Sequence, residues 1–161
     1  MIKFNIFPNE ILVLESELKA EELKKILLEN TFKGSLSTSN ITKKKFIGKV
    51  NENDFKIISS KSPKSVFCVF NGVITEENST RIKINLKLHT GFRILFSVGT
   101  IVLASLLLVS PIELSEKLGQ IFMFLILIII GRFFFINILF NNIAENGIND
   151  LKSVLKMNEV E

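Results

Sequence analysis

Residues 92–109, FRILFSVGTIVLASLLLV, and residues 118–140, LGQIFMFLILIIIGRFFFINILF, are separated only by SPIELSEK at 110–117. A helix rising about 1.5 Å per residue needs about 20 residues to cross a hydrocarbon core of about 30 Å, and each stretch is near that length. Lipid offers no water to backbone N–H and C=O groups, so two such runs joined by a short polar link read as a helical hairpin. The pattern predicts spans over about 92–110 and 118–138 in an integral membrane protein.

Outward from the hairpin the composition changes. In a chain of 161 residues, three parts are expected: an α+β domain at 1–91, the hairpin at 92–140, and a helix with a tail at 141–161. The net charge is +4, and most lysines precede residue 92, including Lys43-Lys44-Lys45. Such a surplus suits an anionic membrane surface, and no nucleic-acid partner is expected. Arg81, Lys83, Lys87 and Arg93 precede the first run and Arg132, Lys152 and Lys156 lie in or after the second, while the loop holds Glu113, Glu116 and Lys117. Positive residues at the inner ends predict that both termini are cytoplasmic. The start, MIKFNIFP, lacks the apolar core and cleavage site of a secretory signal, so it is expected to be retained, and the expected location is a bacterial inner membrane. The single cysteine, Cys68, excludes an internal disulfide, so the soluble part requires no oxidising compartment.

Within 1–91 the periodicity predicts a helix and a mostly antiparallel sheet. Ile2 to Ile6 alternates as a short strand before Pro8, and Ile11 to Leu14 is a second apolar run. Ser16 is the expected cap of a helix over Glu17–Glu29, with Ala20, Leu23, Ile26 and Leu27 at helical spacing. The polar stretch from Gly34 to Asn40 reads as a loop. Phe46–Val50 and Phe55–Ser59 flank the turn formers Asn51 to Asp54 and predict a strand hairpin. Ser65–Phe70 reads as a central strand. Asn71-Gly72 leaves open a tight turn or a bulge in a strand ending at Thr75, with the bulge favoured because Glu76 to Ser79 already supplies a turn. Ile82, Ile84, Leu86 and Leu88 alternate with Arg81, Lys83, Asn85 and Lys87, a strand with one buried and one basic face that runs through Thr90-Gly91 into the first span. After the second span, Ala144, Ile148, Leu151 and Leu155 predict an amphipathic helix, interrupted or bent near Gly147.

An ionisable residue within a span is a functional candidate by default. Arg132 is one, but Arg93 lies at a comparable distance on the other side of the loop, so the two fall at similar depth and read as matched anchors at the cytoplasmic interface. Arg81, Lys83 and Lys87 are candidate contacts for anionic lipid headgroups. Phe133-Phe134-Phe135 would share that interface, and Thr100 with Ala104 is a small pair that serves either the hairpin or a homo-oligomer. One His and one Cys make no metal site, so Cys68 reads as a core residue and His89 as a membrane-proximal one. Glu76 and Glu77 read as solvated. No phosphate-binding glycine loop, G-x-S-x-G elbow or H-E-x-x-H helix occurs, so no catalytic, cofactor or metal residues are assigned and enzyme activity is not expected.

Phe46-Ile47-Gly48-Lys49-Val50, Phe55-Lys56-Ile57, Asn71-Gly72-Val73-Ile74 and the long strand entering two spans resemble, over about residues 46–140, a group of small uncharacterised two-span bacterial membrane proteins. The resemblance implies a cytoplasmic β-rich, pleckstrin-homology-like domain on a membrane hairpin and brings no catalytic residues. The leading expectation is a non-enzymatic interaction or regulatory module, with membrane lipids and a protein as partners. A small oligomeric transporter or channel component, and an immunity protein against a membrane-active peptide, are the alternatives.

Overall fold

Strict alternation decides the sheet. The computed structural model describes residues 7–36, 42–76, 79–109, 113–156 and 158–159. Strand β6 (Thr80–Leu88) buries Thr80, Ile82, Ile84, Leu86 and Leu88 and turns Arg81, Lys83, Asn85 and Lys87 to the opposite face. Around it the chain builds a mixed α/β architecture. Strand β1 (Asn9–Ser16) pairs with one side of β6 and β5 (Cys68–Glu76) with the other. Strands β4 (Asp54–Ser59) and β3 (Phe46–Val50) extend the antiparallel meander, β2 (Thr31–Lys33) adds parallel to β3, and the two residues of β7 (Asn158–Glu159) border β1. The order is β2-β3-β4-β5-β6-β1-β7, mostly antiparallel.

The expected hairpin of β3 with β4 forms, closing at Val50 opposite Phe55. Residues 65–67, expected to be extended, instead belong to a 3-10 helix over Pro63–Phe67. Proline suits its first turn, and the Ser62 side chain accepts a hydrogen bond from the Lys64 N–H at 3.3 Å. Asn71-Gly72 is neither a turn nor a bulge, because β5 pairs without interruption on both sides. Gly72 makes room for an aromatic ring: a Cβ there would come within 2.0 Å of Phe55 Cζ. The expected strand at Ile2–Ile6 lies outside the described residues, as do parts of the expected loops at 37–41 and 77–78.

Helix α1 (Ala20–Asn30) begins later than the sequence suggests. Ser16 does not cap it, since Ser16 still pairs with Thr80 in the sheet and its Oγ accepts from the Leu18 N–H at 3.1 Å. The Ala20 N–H donates instead to Glu76 Oε2 at 3.3 Å, placing a carboxylate at the positive end of the helix.

Helix α2 (Thr90–Val109) follows β6 after a single residue, His89. Helix α3 (Leu114–Ile130) passes through a π-helical segment (Gly131–Ile136) into α4 (Asn137–Leu155). The C-terminal helix is therefore not a separate element, and no interruption occurs near Gly147. Thr90–Val109 and the 40-residue helix Glu116–Leu155 are both long and apolar enough to cross a membrane. Leu95, Ile101, Leu106 and Phe122 are 63–68 % exposed, which marks apolar surface suited to lipid and so to membrane association.

Helices α1 and α4 cover the same face of the sheet. Leu23 and Leu27 of α1 and Phe140, Ala144, Leu151 and Leu155 of α4 form one buried cluster with Phe46, Phe55, Ile57, Phe70, Ile82, Ile84 and Leu86. Burying each large apolar side chain is worth about 1.5–3 kcal/mol, so this face dominates stability. Gly147 admits α4 to it: a Cβ there would lie 2.2 Å from Phe70 Cζ. Lys61, between β4 and β5, forms an ion pair with the buried Asp150 of α4.

Candidate functional site at the junction of hairpin and sheet

The two apolar helices pack along half-buried stripes, Phe96, Gly99, Thr100 and Ala104 on α2 and Ile121, Phe124 and Ile128 on α3. Thr100 lines an apolar groove with Phe124, Leu127 and Ile128, so it faces α3 within the same chain. On an uninterrupted α-helix, Phe140 would sit about 120° around the axis from Ile128. The π segment supplies about one extra residue, taking back roughly 100°. The stripe that meets α2 and the stripe that meets the sheet thereby come nearly into line, and Arg132 is on the segment that joins them.

Arg93 and Arg132, matched from sequence, converge on one aromatic ring. Their guanidinium carbons lie 5.3 and 5.4 Å from the centroid of Phe7. Phe7 also meets Phe96 edge to face at 6.1 Å, and Arg132 Nη1 donates to Asn137 Oδ1 at 3.3 Å. Each cation–π contact is worth about 0.5–2 kcal/mol, more as the pair is desolvated. Phe67 stacks on Phe92 with centroids 3.8 Å apart, fixing the short 3-10 helix against the start of α2. Beside this cluster a cleft of about 680 Å³ opens between the start of β1 and α4, lined in part by Asn9, Glu10, Asn137, Asn141, Glu145 and Lys152.

The remaining sequence candidates are not brought to this cluster. Arg81 stands at the far end of β6 from α2, six residues and about 20 Å of strand from Lys87, and its Nε is paired with Glu15 Oε1 at 2.5 Å. Lys83 and Lys87 lie on the sheet face opposite the helices. There the register sets Lys83 between Val13 and Val73, and aligns Ile11, Asn85, Asn71, Lys56 and Lys49 across five strands. Ile11, Val13 and Val73 are exposed on this outer face. Sequence reasoning missed Phe7 and Asn137. Phe7 sits in no periodic run, and the asparagines of α4 carry only an ordinary polar-face signal.

His89 occupies the one-residue joint between β6 and α2. Its Nδ1 accepts from the Gly91 N–H at 3.1 Å, and its carbonyl accepts from the N–H groups of Phe92 and Arg93. The side chain thus caps α2, which requires a neutral ring. Burial, and secondarily Lys56, hold its pKa below the usual 6.5. The unfolded chain therefore takes up this proton first: the stabilisation is complete above about pH 6.5 and is lost as pH falls through the lowered folded-state value. Protection of the Gly91 amide, relative to its intrinsic exchange rate at each pH, should fall between about pH 7 and pH 5, and His89→Asn, a capping side chain that does not titrate, should flatten that dependence. Cys68 is buried in the core, and burial, with a smaller effect of Glu10, pushes its thiol up to about 12.

Among the described residues, no three His, Cys, Asp or Glu side chains gather as a metal-binding group. The junction gathers two guanidinium groups, an amide and aromatic faces that the guanidinium groups stack on. No family model, curated protein or solved structure matches the chain.

Proposed function

We propose that the chain is a two-span protein of a bacterial inner membrane, with both termini in the cytoplasm, acting as a non-enzymatic, membrane-anchored interaction or regulatory module. The observation that carries this reading is the unbroken helix from the second apolar run into the core of the sheet, which ties the hairpin to the domain without a flexible link. The helices occupy one face of the sheet. The other presents Ile11, Val13 and Val73 beside Lys49, Lys56 and Lys83, a mixed apolar and basic surface suited to a protein partner. Arg93 and Arg132 serve as interface anchors. Lys87 is the strand lysine nearest lipid, while Arg81 is engaged by Glu15.

Cysteine labelling tests placement and partner together, because buried Cys68 contributes little background. In intact cells a membrane-impermeant maleimide should modify Glu113→Cys, whereas Asn53→Cys should react only after permeabilisation. Val73→Cys should be protected in native membranes relative to purified protein, and Asn53→Cys should not. The reverse pattern at positions 113 and 53 would overturn the orientation. Equal reactivity at position 73 in membranes and in purified protein would overturn the interaction reading.

A further inference from the structure

The sheet face away from the helices is positively charged beyond what its own carboxylates offset. Lys49 and Lys56 are direct partners in the register of β3 and β4, and like charges set opposite each other destabilise a sheet. Lys83 and Lys87 stand on either side of Asn85, on the same face of β6. Among the described residues none of these lysines has an ion-pair partner. The strands bring Glu15 and Asp54 to the same face, but Glu15 is taken by Arg81, and both oxygens of Asp54 accept from Asn51 Nδ2 at 3.1 Å. Apolar surface lies among the charges: Val13 and Val73 are exposed on the two strands that flank Lys83. The Asn85 side-chain oxygen, between the lysines of β6, is buried without a hydrogen-bond partner among the described residues. It lacks a donor, and a peptide N–H supplies one where a headgroup phosphate does not.

We infer that this face docks an acidic segment of a partner protein, in which carboxylates meet Lys56 and Lys83 while neighbouring apolar side chains cover Val13 and Val73. Lys56 lies two strands and two residues from Lys83, about 12 Å at the backbone, so each takes its own carboxylate. Lys83 and Lys87 flank Asn85, and drawing their flexible stems onto carboxylates opens its oxygen to a backbone N–H of the segment. The row from Lys49 to Ile11 crosses five strands, about 19 Å at the ordinary strand spacing, a length that about six extended residues match. The inference rests on the interaction reading given above and narrows its partner to acidic chemistry, since complementary charge sets which partners such a surface admits.

The test measures, by fluorescence anisotropy, binding of a fluorescein-labelled peptide, Glu-Glu-Leu-Glu-Glu-Leu, to the full chain in phosphatidylcholine nanodiscs. Wild type should bind it about tenfold more tightly than the same peptide with glutamine for glutamate, and about threefold more tightly than one with serine for leucine. Lys56→Gln with Lys83→Gln should weaken binding by about tenfold, and Val13→Ser with Val73→Ser by about threefold. Lys19→Gln with Lys25→Gln, the same charge change at α1, should leave it unaltered. All these positions are exposed, so the variants keep the fold. Equal affinity for the glutamine peptide, undiminished binding by the lysine variant, or an equal loss in the α1 control would overturn the acidic occupant. Protection of Val73→Cys from maleimide by phosphatidylglycerol in the nanodisc, with no protein added, would assign the face to the membrane and overturn it too. If Val73→Cys is protected in native membranes yet the acidic peptide is not preferred, the acidic occupant falls and the interaction reading stands. Equal reactivity at position 73 in native membranes and in purified protein would overturn that reading itself.

Discussion

Gly147→Val should destabilise the folded domain by about 3 kcal/mol or more, because overpacking a site with no room to relax costs that much. The new Cβ would sit 2.2 Å from Phe70 Cζ, and Phe70 is 1 % exposed in the centre of the cluster that α1 and α4 share with the sheet. The ring has nowhere to swing. Gly147→Ala should move stability in the same direction by less, since a helix otherwise favours alanine over glycine by about 1 kcal/mol. Gly119→Ala isolates that propensity: a Cβ at Gly119 meets nothing within 4 Å, so this change should be neutral or stabilising. Combining Gly147→Ala with Phe70→Ala should cost less than the two changes summed, because removing the ring removes the collision. Denaturant unfolding of the detergent-solubilised protein, followed by amide exchange in α4, measures all four. A fully tolerated Gly147→Val would mean that α4 does not dock on Phe70.

Asn142→Pro should be the second severe change, with a loss of about 3 kcal/mol or more. Asn142 is exposed, so its side chain buries nothing, and Asn142→Ala should stay within about 0.5 kcal/mol of wild type. Proline instead removes a backbone hydrogen bond and clashes with the carbonyl one turn earlier, in the stretch that leads from Arg132 to Phe140 and Ala144. Its signature should be local. Exchange should rise through α4 while α2 and the first half of α3 stay protected. Uniform loss of protection across all helices would show that the hairpin and the sheet unfold as one unit.

The elements with a simple period were legible in the sequence. Ile82 to Leu88 announced a strand with one buried face, and the two apolar runs announced helices of spanning length. What escaped were features set by contacts between distant residues. Asn71-Gly72 and Gly147 looked like breaks because glycine commonly punctuates structure, yet Gly72 is occupied by the ring of Phe55 and Gly147 by that of Phe70. Glu76 is exposed, as expected, but that it accepts from the Ala20 N–H could not be read from a residue so far back in the chain. At the junction, depth alone paired Arg93 with Arg132, but no pattern within residues 92–140 could point to Phe7, which lies on the far side of the whole sheet in sequence.

The helix that carries Arg132 from the hairpin into the core also has a mechanical consequence. Its 19-residue terminal part, α4, is about 28 Å long, so a tilt of about 10° in the spanning part would sweep the far end by about 5 Å if the helix stays stiff. That far end holds Asp150 against Lys61, and Leu155 in the core. With the two apolar helices placed across a bilayer as proposed above, a change in bilayer thickness, which tilts spanning helices, would be delivered to the sheet as leverage, with the exposed lysine face riding on the end of the arm.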